Sequence, residues 1–75
     1  MQESGEDYLE AIVVLQQKQT NVRPIDVATH LNVSKPSVSR AIKILKDLGY
    51  ITHNPYGAIS LTPEGKTRGE EILYR

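Results

Sequence analysis

The chain has 75 residues, with nine Lys and Arg balanced by nine Asp and Glu for a formal net charge of zero, and it has no cysteine. That length holds one small domain and excludes two, and the missing cysteine excludes both a disulfide framework and a thiolate zinc site. No apolar run approaches the ~20 residues that would span a bilayer, and M-Q-E-S-G-E-D is acidic where a signal peptide would be basic, which predicts a soluble cytoplasmic protein held together by packing alone.

The first helical pattern runs from Gly5 to about Gln19, with Tyr8, Leu9, Ile12, Val13 and Leu15 covering more than a narrow stripe. Ser4 and Asp7 resemble a capping box at its start. Val22-Arg23 is a short extended piece, because a residue before proline is pushed out of the helical region. A second helix follows from Pro24 to about Leu31, predicted to turn Ile25, Val27, Ala28 and Leu31 inward, and Asn32 is a candidate left-handed residue after it.

The next stretch, S-K-P-S-V-S-R-A-I-K-I-L-K-D-L-G from Ser34 to Gly49, defines its own ends. Ser34 can accept a hydrogen bond from a free first-turn N–H, Pro36 sits where its missing donor costs nothing, and Gly49 can take the left-handed conformation that stops a helix. At about 100° per residue, Val38, Ala41, Ile42, Leu45 and Leu48 share one side, while Pro36, Ser39, Arg40 and Lys43 share the other.

After Gly49, Tyr50-Ile51-Thr52-His53 and Ala58-Ile59-Ser60-Leu61 are rich in β-branched residues and flank Asn54-Pro55-Tyr56-Gly57, with Pro second and Gly fourth as a type I turn prefers. Ile51, Ile59 and Leu61 are expected to face the core, Thr52 and Ser60 the water. Thr62-Pro63 starts a last helix, which reaches Ile72-Leu73-Tyr74-Arg75 without a stop signal and is expected to continue. Gly65 and Gly69 each cost it roughly 1 kcal/mol against alanine, which predicts close backbone packing. The sum is a mainly α (α+β) fold over residues 1–75: a winged helix-turn-helix with a three-helix core, a two-stranded β wing and a C-terminal helix.

Function follows from the uneven placement of charge. Glu3, Glu6, Asp7 and Glu10 make the first ten residues purely acidic, whereas Lys35, Arg40, Lys43 and Lys46 outnumber Asp47 in the third helix. An ordinary solvated helix interleaves Glu with its Lys; this outward face has none. A helix that enters the major groove N-terminal end first needs compact donors there and Arg or Lys further along, a requirement that Ser34, Lys35, Ser37, Ser39, Arg40 and Lys43 meet. Tyr56, at the wing tip beside His53 and Asn54, carries a hydroxyl that can bond a phosphate. Catalysis has little to work with: no cysteine, no glycine-rich phosphate loop, and only His30 and His53 as general bases, both expected at the surface. No small-molecule substrate is expected.

E-D-Y-L-E-A-I, V-A-T-H-L-N-V-S-K-P-S-V-S-R-A-I-K-I-L-K-D-L-G-Y-I and I-S-L-T-P-E-G-K together resemble the diphtheria-toxin-repressor family, closest to its manganese-transport-regulator branch, over nearly all of residues 6–75. The resemblance implies a DNA-binding domain of a metal-dependent transcriptional repressor, followed in the full-length protein by a helical domain that forms a homodimer. It implies that Ser34, Pro36 and Arg40 touch double-stranded DNA, with Ser37 and Ser39 near the phosphates. Asp7 and Glu10 match two metal ligands; spaced i,i+3 they share a helix face, which suits Mn²⁺ or Fe²⁺. The family's remaining ligands come after residue 75, so no tightly bound metal is expected within residues 1–75. Two alternatives stay open: a winged helix used as a protein-interaction module, for which only Ile44 offers a flanking anchor, and a winged-helix regulator with another effector.

Overall fold

A computed structural model describes residues 5–55 and 57–74. Its elements are α1 (Gly5–Lys18), α2 (Pro24–Leu31), α3 (Lys35–Asp47), β1 (Ile51–His53), β2 (Ile59–Leu61) and α4 (Pro63–Leu73). Local chemistry sets most of these boundaries. Ser34 Oγ accepts from the Ser37 N–H at 3.4 Å, and Thr62 Oγ1 accepts from the Gly65 N–H at 3.0 Å, each just ahead of a proline in the first turn. At the start of α2 the Arg23 N–H donates to Asp26 Oδ2 at 2.9 Å, the acidic half of a capping box.

Helices α2 and α3 stop by the same device. Asn32 has φ 56° and Gly49 φ 84°, and the following N–H groups, of Val33 and Tyr50, reach back to the Ala28 and Leu45 carbonyls at 3.0 Å. Both left-handed residues are those expected from the sequence. Ser4, Tyr56 and Arg75 lie outside the described residues, so the Ser4 cap and the wing-tip tyrosine do too.

The core lies where α1, α2, α3 and the wing root meet, and its largest fully buried side chains are Leu9, Ile12, Val22, Val27, Val38, Leu45, Ile51 and Ile59. Leu31 and Leu61 are half-buried against it. Two expected core residues are not there. Ile25 is 49% exposed and Leu48 62% exposed. Ile25 lies about 110° around α2 from the centre of Val27, Ala28 and Leu31, which puts it on the outer side. Leu48 lies about 80° from Val38 on the edge of the α3 stripe, next to the reversal at Gly49. Replacing Leu48 by glutamine should therefore shift stability by no more than about 0.5 kcal/mol in a thermal melt, and a loss above ~2 kcal/mol would return it to the core.

The wing is an antiparallel pair in the register Ile51↔Leu61, Thr52↔Ser60, His53↔Ile59. Gly57, at φ 91°, donates its N–H to the Asn54 carbonyl at 3.0 Å, and Asn54 Oδ1 accepts from the Ala58 N–H at 3.1 Å, so the turn is closed by backbone and side chain together. One tie was not foreseen. The extended Val22 forms an antiparallel bridge to Ile59, whose N–H donates to the Val22 carbonyl at 2.7 Å, and Gln16 Nε2 donates to the Ile59 carbonyl at 3.2 Å. The wing root is thus fastened to the α1–α2 connection.

A second joint fixes α4. The Thr62 hydroxyl, besides capping that helix, donates to the Gly49 carbonyl at 2.6 Å, while the Thr62 N–H donates to the Tyr50 carbonyl at 3.0 Å. Gly65 and Gly69 are both buried, Gly65 against the Tyr50 backbone and Gly69 against Val13 and Leu9, as the cost of two glycines in a helix suggested.

Candidate nucleic-acid interface

Helix α3 is anchored by Val38, Ala41, Ile42 and Leu45, all buried, and this fixes which side it shows to a partner. Ser34, Lys35, Pro36, Ser39, Arg40 and Lys43 are exposed. Ser37 is half-buried, and its Oγ lies 3.0 Å from that of Ser34, so these two hydroxyls are engaged with each other at the cap. Pro36, Ser39, Arg40 and Lys43 fall within about 100° of one another around the helix.

The first turn of α3 holds no acid, and Asp47 at its far end is its only carboxylate. Among the described residues the ion pairs are made by Arg68, to Glu6 at 3.1 Å and to Glu71 at 3.4 Å. Lys35, Arg40 and Lys43 make none among the described residues. Side chains placed this way keep their donors for an outside acceptor.

The hairpin turn comes down beside the same helix end. Gly57 from the turn, Arg23, Pro24 and Ile25 from the start of α2, and Lys35, Val38 and Ser39 from α3 line one open groove of about 330 Å³. A wing at the N-terminal end of an outward-facing helix lets one molecule touch a groove and an adjoining backbone of a duplex. Tyr56, expected to make the wing's phosphate contact, is outside the described residues. His30 and His53 are exposed; His53 Nε2 lies 3.2 Å from the Gly57 carbonyl within the hairpin.

Asp7 is exposed and Glu10 half-buried, one turn apart on α1. Among the described residues no three or more His, Cys, Asp or Glu side chains gather so as to hold a metal ion. Two carboxylates at this spacing suit a hard divalent ion as part of a ligand set, but the described residues do not complete one.

Residues 1–59 match the model of the iron dependent repressor N-terminal DNA binding domain. The chain belongs to the iron-dependent repressors. Among its relatives are the HTH-type transcriptional regulator MntR of Geobacillus thermodenitrificans (strain NG80-2), 35% identical over 72 residues, and the transcriptional regulator MntR of Salmonella typhimurium, 38% identical over 70 residues. These alignments cover 96% and 93% of this chain but 51% and 45% of the relatives, so the chain spans about half their length.

Solved structures agree on the fold of this repressor domain. The transcriptional regulator Tm0710 of Thermotoga maritima superposes with a TM-score of 0.72 at 26% identity, covering 91% of this chain and 51% of that one. MepR, a transcription regulator of the Staphylococcus aureus multidrug efflux pump MepA, superposes at 0.77 with 22% identity, covering 93% and 53%. The winged helix-turn-helix expected from the sequence is the observed fold, and the chain is an N-terminal DNA-binding domain of the iron dependent repressor family. The relatives and structural neighbours are transcriptional regulators, not enzymes. No described helix is long and apolar enough to cross a membrane.

Of the expected α3 residues, Lys35 and Ser39 share a groove with Gly57 of the wing turn, and Asp7 and Glu10 lie on a different helix, α1. Sequence reasoning missed Arg23 and Ile25, which share a groove with Lys35 and Ser39. The only local signal was the extended conformation imposed on Arg23 by Pro24, which says nothing of what lies beside it.

Proposed function

We propose that residues 1–75 are the duplex-reading domain of a longer, cytoplasmic, homodimeric repressor that responds to Mn²⁺ or Fe²⁺. The contacts fall to Ser34, Lys35, Pro36, Ser37, Ser39, Arg40 and Lys43 on α3, with Tyr56 of the wing on the backbone. The observation that carries this reading is the acid-free, ion-pair-free face of α3 opposite its buried anchors. Short Ser34 and Ser39 let the helix end approach closely, and Arg40 can span the two acceptors of a guanine edge. Lys43, one turn further, meets a phosphate or a base.

The test is selection of duplexes from a random pool by the 75-residue chain, followed by fluorescence anisotropy on selected and random duplexes across a range of salt. A preference for the selected sequence is expected, superimposed on a common salt-dependent term. Equal affinity for selected and random duplexes would remove the reading of base edges by α3.

Asp7 and Glu10 are proposed as part of a metal site whose other ligands lie outside residues 1–75. With two carboxylates, most of a divalent ion's coordination is left to water, and affinity should sit far below that of a full cage. Titrating the chain with Mn²⁺ should therefore leave its DNA affinity unchanged, and the Asp7→Ala/Glu10→Ala double variant should behave like the parent. Micromolar activation that the double variant loses would show that residues 1–75 complete the site by themselves.

A further inference from the structure

Gln16, half-buried in the last turn of α1, reaches 43 residues along the chain to the wing, where its Nε2 donates to the Ile59 carbonyl at 3.2 Å. The wing's own ladder explains why that carbonyl needs an outside partner. The Asn54 N–H donates to the Ala58 carbonyl at 3.0 Å, so the next pair, His53↔Ile59, is one that exchanges no hydrogen bonds, and the Ile59 N–H and C=O point away from β1. The Val22 carbonyl takes the N–H at 2.7 Å and Gln16 takes the carbonyl, at a residue only 2% exposed and so poorly reached by water.

A hairpin with strands of three residues is marginal by itself, so the angle at which this wing stands is set by what holds its root. Gln16 belongs to the helix whose Leu9, Ile12 and Leu15 share one core with Val38, Ile42 and Leu45 of α3. Its bond therefore ties the wing to the same body that carries the DNA-facing helix. At the other end of the hairpin, Gly57 shares a groove with Lys35 and Ser39, so a tilt at Ile59 changes the spacing of the turn from the start of α3.

Resting on the wing contact proposed above, we infer that Gln16 is a positioning residue for DNA binding. It touches no DNA; its bond to Ile59 holds the wing at the angle at which the turn and α3 meet one duplex together. Two contacts carried on one rigid body bind as a unit, whereas a wing free to swing must be ordered at each binding event, and affinity falls. The loss falls on every sequence, because the wing meets backbone.

The test is Q16M, which keeps the length and helix propensity of glutamine and removes the donor. It should weaken selected and random duplexes alike, severalfold, with an unchanged salt slope because no cation is removed. In a Tyr56→Ala chain, whose wing contact is already gone, Q16M should cost little further. Amide order parameters should fall at Thr52, His53 and Gly57 and hold at Ser39, Arg40 and Lys43, a pattern that a general loss of stability does not give. Recorded well below the melting temperature, they decide the matter even where Q16M melts below the parent. With Tyr56→Ala weakened, the positioning role alone is overturned if Q16M binds as the parent does, if its wing order parameters are the parent's, or if the two losses simply add. If Tyr56→Ala binds both duplexes as tightly as the parent, the wing contact fails and this inference fails with it.

Discussion

A Gly65→Ala chain should melt roughly 12–24 °C below the parent, the shift that a loss of about 3 kcal/mol produces in a domain of this size. The cause is the joint that holds α4 to the wing root. A Cβ at position 65 would overlap the Tyr50 carbonyl oxygen and stand 2.6 Å from its carbonyl carbon. That peptide cannot retreat, because the oxygen accepts from the Thr62 N–H at 3.0 Å and the Tyr50 N–H is bonded to the Leu45 carbonyl at 3.0 Å. Overpacking against a fixed backbone costs typically 1–3 kcal/mol and occasionally more, and here it must also exceed the roughly 1 kcal/mol that alanine gains in helix propensity.

Two neighbouring glycines provide the scale. Gly69→Ala meets Val13 Cγ2, with Leu9 Cγ next at 3.5 Å, so the clash is with side chains and its cost should be smaller. Among the described residues Gly5→Ala meets only Leu45 Cδ2 at 4.0 Å, an ordinary contact, and should leave stability unchanged or raise it. The ranking Gly65, Gly69, Gly5 is the measurement to make by thermal melts of the three variants. A Gly65→Ala chain as stable as the parent would mean that α4 does not approach Tyr50 this closely.

The second large effect is on recognition. Arg40→Ala should lose about 1–3 kcal/mol on the selected duplex and relax preference at one base pair, with much less change on random DNA. Arg40 is exposed and lies opposite the buried Val38, Ile42 and Leu45, so its removal should leave the melting temperature within a degree or two of the parent's. Lys43→Gln is the companion. If Lys43 bonds a phosphate, it weakens every duplex and takes about 1 from the salt slope; if it bonds a base, it behaves as Arg40 does. Binding of all sequences by Arg40→Ala as tightly as by the parent would take Arg40 off the base edges.

These two positions differ in how far the sequence alone reaches. The exposure of Arg40 was legible because it depends on one helix: Ser34 and Gly49 mark the ends, the apolar residues mark the inner side, and the angle to Arg40 follows from 3.6 residues per turn. The same locality explains Asn32, Thr62 and Pro63, whose caps and stops involve partners within four residues. The hairpin was legible from β-branched runs on either side of a Pro- and Gly-containing turn.

Periodicity tells which residues share a face but not how wide a face the neighbours will cover, and Ile25 and Leu48 fell at the margins of their stripes and remained outside. The Val22–Ile59 bridge, the Thr62–Gly49 bond and the contact of Gly65 with Tyr50 join residues 37, 13 and 15 positions apart, and no local propensity encodes such pairs. Arg23 is the sharpest case. Its sequence neighbours place it only before a proline, and the packing of α2 against α3 brings it into one groove with Lys35. The sequence determined the caps, the helix ends and the cationic face through contacts within a turn or two; the tertiary structure decided the wing's anchorage, the groove beside α3 and the approach of α4, because those depend on how whole elements pack.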